Sequence, residues 1–175
     1  MASPIEIDVW QGEIAELEVD ALIVPANESL FMTAGTAASV KRLGGDEIER
    51  NAVDQGPAES GTAIATHAGS LAAAYVIHAV GVGHERNADR ERLAAAIRAA
   101  LSFIVPLQLR RIAFSLVGTE HGVFTPAEAA EVLFAELALP DSAGEHLDSV
   151  VVATANVAET HAVNEAIAAR RAQAR

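Results

Sequence analysis

The stretch Val19–Gly45, VDALIVPANESLFMTAGTAASVKRLGG, decides the fold of this chain. Its apolar run from Ala21 to Val24 is typical of a strand that is covered on both faces of a sheet. A polar loop follows, and a helical pattern begins near Gly35. Because ligands of such sheets usually lie beyond the carboxyl ends of the strands, this loop is the first place to look for a site.

The alternation of strands and helices continues on both sides of this stretch. We predict further strands at 5–12, 62–69, 74–83, 111–118 and 149–154, and helices at 35–43, 46–55, 89–105, from about 126, and towards 170. Thr125 is a good N-cap before Pro126, and either Thr154 or Asn156 can cap the last helix. The pattern predicts an α/β fold in one domain, 1–175, with a mainly parallel sheet between helices.

Composition narrows the class of protein further. The chain has 175 residues, a hydrophobic fraction of 51%, a net charge of −12 and no cysteine. No apolar run approaches the roughly 20 residues that span a bilayer, and the N-terminus lacks a secretory pattern. We therefore expect a cytoplasmic protein without membrane association. The negative charge disfavours nucleic acid as a partner, and the lack of cysteine excludes thiolate metal sites, so we expect no metal and no cofactor.

The loops predicted at strand ends are 25–35, 81–88, 117–125 and 154–156, and none contains a dinucleotide-binding, P-loop or serine hydrolase motif. In the third loop, Gly118 and Gly122 let backbone amides converge on an anion ahead of the next helix. Glu120 and His121 between them are candidates for an acid, a base or a ligand contact, or are exposed loop side chains. His78, inside a buried strand, is predicted to be a core histidine.

Four blocks of the sequence, Gln11–Asn27, Met32–Gly45, Gly61–Gly81 and Arg111–Pro126, follow one another in an order and spacing that resembles the macrodomain family. The resemblance implies a three-layer α/β/α sandwich with a mixed, mainly parallel central sheet. It also implies a cleft at the strand ends that binds ADP-ribose or a related nucleotide metabolite. The expected partner is then an ADP-ribose-like small molecule or an ADP-ribosylated protein.

The resemblance also assigns roles to individual positions. It places Glu13 and Ile14 near adenine and Asn27 near the distal ribose. The two loops that hold the diphosphate correspond to Gly35 and Thr36 in the first, and to Gly118, Thr119, Gly122, Val123 and Phe124 in the second. The aromatic residue that often lies beside adenine after the last strand is missing.

Departures from the family pattern leave three functions open. Ala37 stands where a hydrolase subclass has an acidic residue, so we expect binding rather than efficient hydrolysis. Glu120 and His121 remain weak candidates for the hydrolysis of ADP-ribosyl or O-acetyl-ADP-ribose esters. The glycine-poor first loop also fits a degenerate member that acts as a scaffold or oligomer without this ligand. The sequence does not predict the oligomeric state.

Overall fold

The computed structural model describes residues 5–83, 89–139 and 141–173, so the predicted loop 81–88 lies partly outside the described residues. Six strands form one sheet: β1 (Glu6–Gln11), β2 (Ala21–Pro25), β3 (Thr62–His67), β4 (Tyr75–Val80), β5 (Arg111–Ser115) and β6 (Ser149–Thr154). Their order is β1-β6-β5-β2-β4-β3. Every pairing is parallel except that of β3 with β4, which confirms the mixed, mainly parallel sheet.

Helices cover both faces of this sheet and make the predicted three layers. They are α1 (Gly35–Gly44), α2 (Asp46–Gln55), α3 (Arg90–Leu101), α4 (Pro126–Glu136), α5 (Asp141–His146) and α6 (Val157–Gln173). Side chains of β2 alternate between two buried clusters. Leu22 and Val24 pack with Val40 of α1, whereas Ile23 packs with Leu93 of α3. The unbroken apolar run of β2 is thus explained by a core on each side.

The predicted helix starts are confirmed in detail. The Thr125 hydroxyl accepts from the Glu128 amide (3.2 Å), and the Glu128 carboxylate accepts from the Thr125 amide (2.8 Å). This reciprocal capping box fixes the first turn of α4 beside Pro126. Of the two candidates for the last helix, Asn156 is the cap, since its side-chain oxygen accepts from the Glu159 amide (2.9 Å).

One helix prediction was wrong at its end, and one helix was not predicted. The helix predicted over 89–105 ends at Leu101, where the amides of Phe103 and Ile104 bond three residues back instead of four. Ile104 is nevertheless buried, so the apolar period continues through the turns and overstates the helix. Helix α5 was missed because its six residues, DSAGEH, carry no apolar period.

The connections between strands determine where a ligand can enter. The chain leaves β2 towards α1 on one face of the sheet, but leaves its neighbours β4 and β5 towards α3 and α4 on the other face. Loops that diverge in this way open a crevice at the carboxyl ends of adjacent strands. In the described part of the chain, no helix is both long enough and apolar enough to cross a bilayer.

Candidate ligand-binding cleft

A cleft of about 520 Å³ lies at the carboxyl ends of β5, β2 and β4. Its walls are residues 25–27 after β2, Phe31 and 33–37 in the next loop and the start of α1, 81–83 after β4, and Val117, Glu120 and His121 after β5. The volume suits a small organic ligand. Three of the four predicted loops therefore meet at one site, whereas 154–156 does not line it.

The loop after β2 is held in shape by Asn27. Its side-chain amide donates to the Phe31 carbonyl (3.0 Å), and its side-chain oxygen accepts from the Ser29 hydroxyl (2.8 Å). Leu30, with φ of +64° and almost fully buried, anchors the turn. The next residue, Phe31, emerges at the cleft with 51% of its surface exposed. Asn27 retains one amide hydrogen for a ligand, since its other groups organise the loop.

A carboxylate from α2 fixes the end of the same loop. Glu49 accepts from the Met32 amide (2.6 Å) with one oxygen and from the Lys41 ammonium (2.8 Å) with the other. The hydrogen bond from Lys41 holds the pKa of Glu49 below its ordinary value, and burial partly opposes this shift. The clamp determines where the backbone stands just before α1 begins.

The start of α1 offers backbone donors to the cleft. The first amides of a helix have no acceptor within the helix, and Ala34 at the N-cap provides no side-chain acceptor. Gly35 has φ of +59°, and a Cβ built on it would meet no atom within 4 Å, so the cleft is open in front of it. The positive end of the helix dipole favours an anion at this point.

The loop after β5 is shaped by positive φ at Gly118 (+103°), His121 (+59°) and Gly122 (+67°). The Gly118 amide donates to the Glu120 carboxylate (2.9 Å), and the Thr119 hydroxyl donates to the Leu116 carbonyl (3.0 Å). Burial raises the pKa of Glu120 to about 7, although hydrogen bonds from its own amide and that of Gly118 oppose the rise. The side chain of His121 is exposed.

A second carboxylate stands behind this loop. Glu159 of α6 is buried, accepts from the Ala155 amide (2.8 Å), and lies 3.3 Å from the Thr119 hydroxyl. Its charge adds to the rise in the pKa of Glu120. Among the residues described, those that line the cleft include neither lysine nor arginine, so backbone amides, together with side-chain amide, hydroxyl and imidazole groups, are its donors to an anion.

Five of the predicted site residues line the cleft, namely Asn27, Gly35, Thr36, Glu120 and His121. The remaining ones are not among the residues that line it: Gly118, Thr119, Gly122 and Val123 shape the loop after β5, Phe124 is in the core, and Ile14 is buried next to α1. Glu13 is exposed and accepts a hydrogen bond from Ser39 of α1. Sequence reasoning overlooked Phe31, an aromatic residue within a polar loop at a strand end.

His78 and a groove between α4 and α6 lie apart from this cleft. His78 is buried as predicted, 3.0 Å from the Thr66 hydroxyl, and burial lowers its pKa to about 4, so it is a neutral core residue. A larger groove, about 1080 Å³, runs between α4 and α6, and alanine is the commonest residue in its lining. It lies away from the carboxyl ends of the strands, between two helices.

Comparison with known proteins supports the fold. An uncharacterized protein of Aquifex aeolicus is 35% identical over 76% of this chain and 81% of its own length. The ADP-ribose glycohydrolase MACROD1 of Mus musculus is 32% identical over 75% of this chain and 42% of its length. A Trypanosoma brucei macrodomain, crystallised with ADP-ribose, superposes with a TM-score of 0.84 at 24% identity over 93% of this chain and 69% of that one.

Some relatives are much longer than this chain, which spans little more than a third of two mycobacterial proteins that it matches at 35% identity. The Macro domain family model matches residues 23–133, which is more than half of the chain. That range includes the carboxyl end of β2 and all of α1, β4 and β5, the elements that build the cleft. The chain belongs to the Macro domain family.

Proposed function

We propose that this protein binds ADP-ribose or a closely related nucleotide metabolite in the cleft at the ends of β5, β2 and β4. The observation that carries the proposal is the uncapped start of α1, residues 35–37, facing a cleft of about 520 Å³ in a Macro domain protein. The macrodomain of Trypanosoma brucei was crystallised with ADP-ribose and with ADP. A diphosphate at a helix N-terminus needs no basic side chain.

The remaining walls suit the rest of such a ligand. Phe31 offers an exposed aromatic face at the cleft, on which a base or a ribose can stack. The free amide hydrogen of Asn27 suits a ribose hydroxyl. We propose Glu13 for the far end of the ligand, because it contacts α1 through Ser39. At Ile14 only the backbone is available, since the side chain belongs to the core.

Calorimetric titration with ADP-ribose tests the proposal. A saturable one-to-one heat, together with a rise in melting temperature, is the expected result. If about 1 mM ligand produces no heat and no thermal shift, the protein has no affinity of biological interest for ADP-ribose. That negative result would favour the degenerate alternative, in which the domain is a scaffold, and light scattering would then report whether it assembles.

One observation supports hydrolysis as a second candidate function. Glu120 lines the cleft, and burial raises its pKa to about 7, which is the range of an effective general base at neutral pH. Its carboxylate would take a proton from water while the water oxygen attacks the acyl carbon of O-acetyl-ADP-ribose. The bond from that carbon to the ribose oxygen then breaks, the ribose oxygen takes the proton from Glu120, and acetate and ADP-ribose leave. MACROD1 of Mus musculus carries the name ADP-ribose glycohydrolase.

Acetate release from O-acetyl-ADP-ribose tests this second function. If Glu120 is the base, Glu120→Gln lowers turnover by roughly 10²–10⁴-fold. The rate of the unchanged protein rises as the pH passes through about 7 because the base becomes ionised. If Glu120→Gln turns over the ester as fast as the original protein, or if the original protein shows no turnover, hydrolysis by Glu120 is excluded and binding is the only function that remains proposed.

A further inference from the structure

The loop after β5 contains a carboxylate, that of Glu120, which accepts a hydrogen bond from the loop's own backbone. Gly118 and Gly122 both lie at positive φ, and the sequence predicted that such a loop would turn its backbone amides towards an anion. Here the Gly118 amide already donates to the Glu120 carboxylate at 2.9 Å. The Glu120 backbone amide also stabilises the charged form of that carboxylate. The Gly118 amide, one of the donors predicted for a diphosphate, is therefore engaged within the loop.

The surroundings of Glu120 make a second anion unfavourable. From α6, the buried carboxylate of Glu159 faces the same loop through Thr119. Within the loop itself, His121 is the neighbouring titratable group and is exposed. The other walls, as far as they are described, are apolar, amide or hydroxyl groups from the segments after β2 and β4 and from α1. A phosphate placed beside Glu120 thus meets two carboxylates, and the described residues that line the cleft include no lysine or arginine to compensate them.

We propose that Glu120 is a specificity-determining residue: its carboxylate occupies the Gly118 amide, and a ligand phosphate gains that donor only by displacing it. This inference rests on the proposed function and concerns how the same site selects its ligand. The start of α1 remains available to one phosphate without displacement. The cleft therefore discriminates against ligands that place a second negative charge at the loop after β5.

The charge on Glu120 makes this discrimination depend on pH. Its pKa is raised to about 7, so the carboxyl is neutral at lower pH and opposes an anion at higher pH. A bound phosphate raises the pKa further, so binding takes up a proton above pH 7. Affinity for ADP-ribose then falls by at most tenfold per pH unit above that point. The ligand itself adds nothing to this pH dependence, since its diphosphate diester does not titrate near neutrality.

Calorimetry with ADP-ribose at about pH 6 and about pH 8 tests the proposal on four proteins. They are the unchanged protein, Glu120→Gln, Glu120→Ala and the control Glu165→Gln, which removes an equal charge from an exposed site on α6. We expect the unchanged protein and the control to lose about tenfold in affinity between the two conditions. Both Glu120 variants should show little pH dependence and bind about tenfold more tightly than the unchanged protein at the higher pH.

Equal pH dependence in Glu120→Gln and the unchanged protein would overturn the inference, and so would weaker binding by both Glu120 variants. The Gly118 amide resonance gives a second measurement that needs no ligand. It should titrate near pH 7 in the unchanged protein and not in Glu120→Gln. If no protein bound ADP-ribose while Gly118 titrated in this way, the proposed function would fall and the internal contact would stand.

Discussion

Removing the Glu49 carboxylate should both destabilise the protein and weaken ligand binding. Glu49 is mostly buried, with 15% of its side chain exposed, and it holds the Met32 amide at 2.6 Å. Met32 itself is only 3% exposed, so its amide has no access to water in the folded state. In Glu49→Ala the amide loses its acceptor, and the loop that presents Phe31 and the start of α1 loses its clamp.

The expected loss follows from the groups left without a partner. A buried amide deprived of its acceptor costs about 1–3 kcal/mol, and the lost bond was charge-assisted, so we expect about 2–3 kcal/mol. For a protein of this size that corresponds to a fall in melting temperature of roughly 4–12 °C. Loosening of the loop should weaken ADP-ribose binding by about tenfold, since part of the binding energy must order it again.

Denaturation by urea and calorimetry with ADP-ribose measure the two effects. Lys41→Met is the matched control, because it removes the ion pair but leaves the Met32 amide bonded to Glu49. We expect it to cost much less stability than Glu49→Ala and to leave binding nearly unchanged. Equal losses in the two variants would show that the ion pair, rather than the amide bond, matters. No loss in Glu49→Ala would refute the clamp.

Three further outcomes are expected. Phe31→Ala should weaken ADP-ribose binding by about 1–3 kcal/mol in calorimetry if the ring stacks on the ligand, whereas Val105→Ala, at another exposed apolar residue, should not. Gly35→Ala places a Cβ on a residue with φ of +59°, which should lower stability by about 1–2 kcal/mol and weaken ADP-ribose binding by distorting the first turn of α1. The control Gly144→Ala adds a Cβ in open space at a residue without positive φ, so it should leave the affinity unchanged. The folded-state pKa of Glu120 is raised to about 7, so its protonated form contributes to stability below about pH 4, and this contribution is lost as the pH rises through 7. The difference in free energy of unfolding between the unchanged protein and Glu120→Gln, measured by urea titration, should therefore change across that pH window.

The sequence predicted the parts of the fold that depend on local pattern. The run from Ala21 to Val24 is a central strand because both faces are covered, and Thr125 caps α4 because its hydroxyl and Glu128 are three residues apart. The strand order and the antiparallel pairing of β3 do not follow from such patterns, since they depend on long-range pairing. The mixed sheet was predicted from the family resemblance.

The site was predicted less completely, and for physical reasons. The position of their loop at a strand end and the family resemblance together predicted that Asn27 and Gly35 would lie at the site, and both line the cleft. The sequence did not show that the Asn27 amide is bonded within its loop, or that Glu120 turns back to the Gly118 amide. Both depend on loop conformation at positive φ, which residues Leu30 and His121 adopt without being glycine. Phe31 was missed because its exposure is a product of the same loop.

If the proposed function is correct, ADP-ribose binds at the start of α1. Titration of isotopically labelled protein with ADP-ribose, followed through the backbone amide resonances, tests it most directly. We predict saturable shifts that are largest at Gly35, Thr36 and Ala37 and extend to residues 117–121. No shift at about 1 mM ligand, or shifts confined to the groove between α4 and α6, would contradict the account.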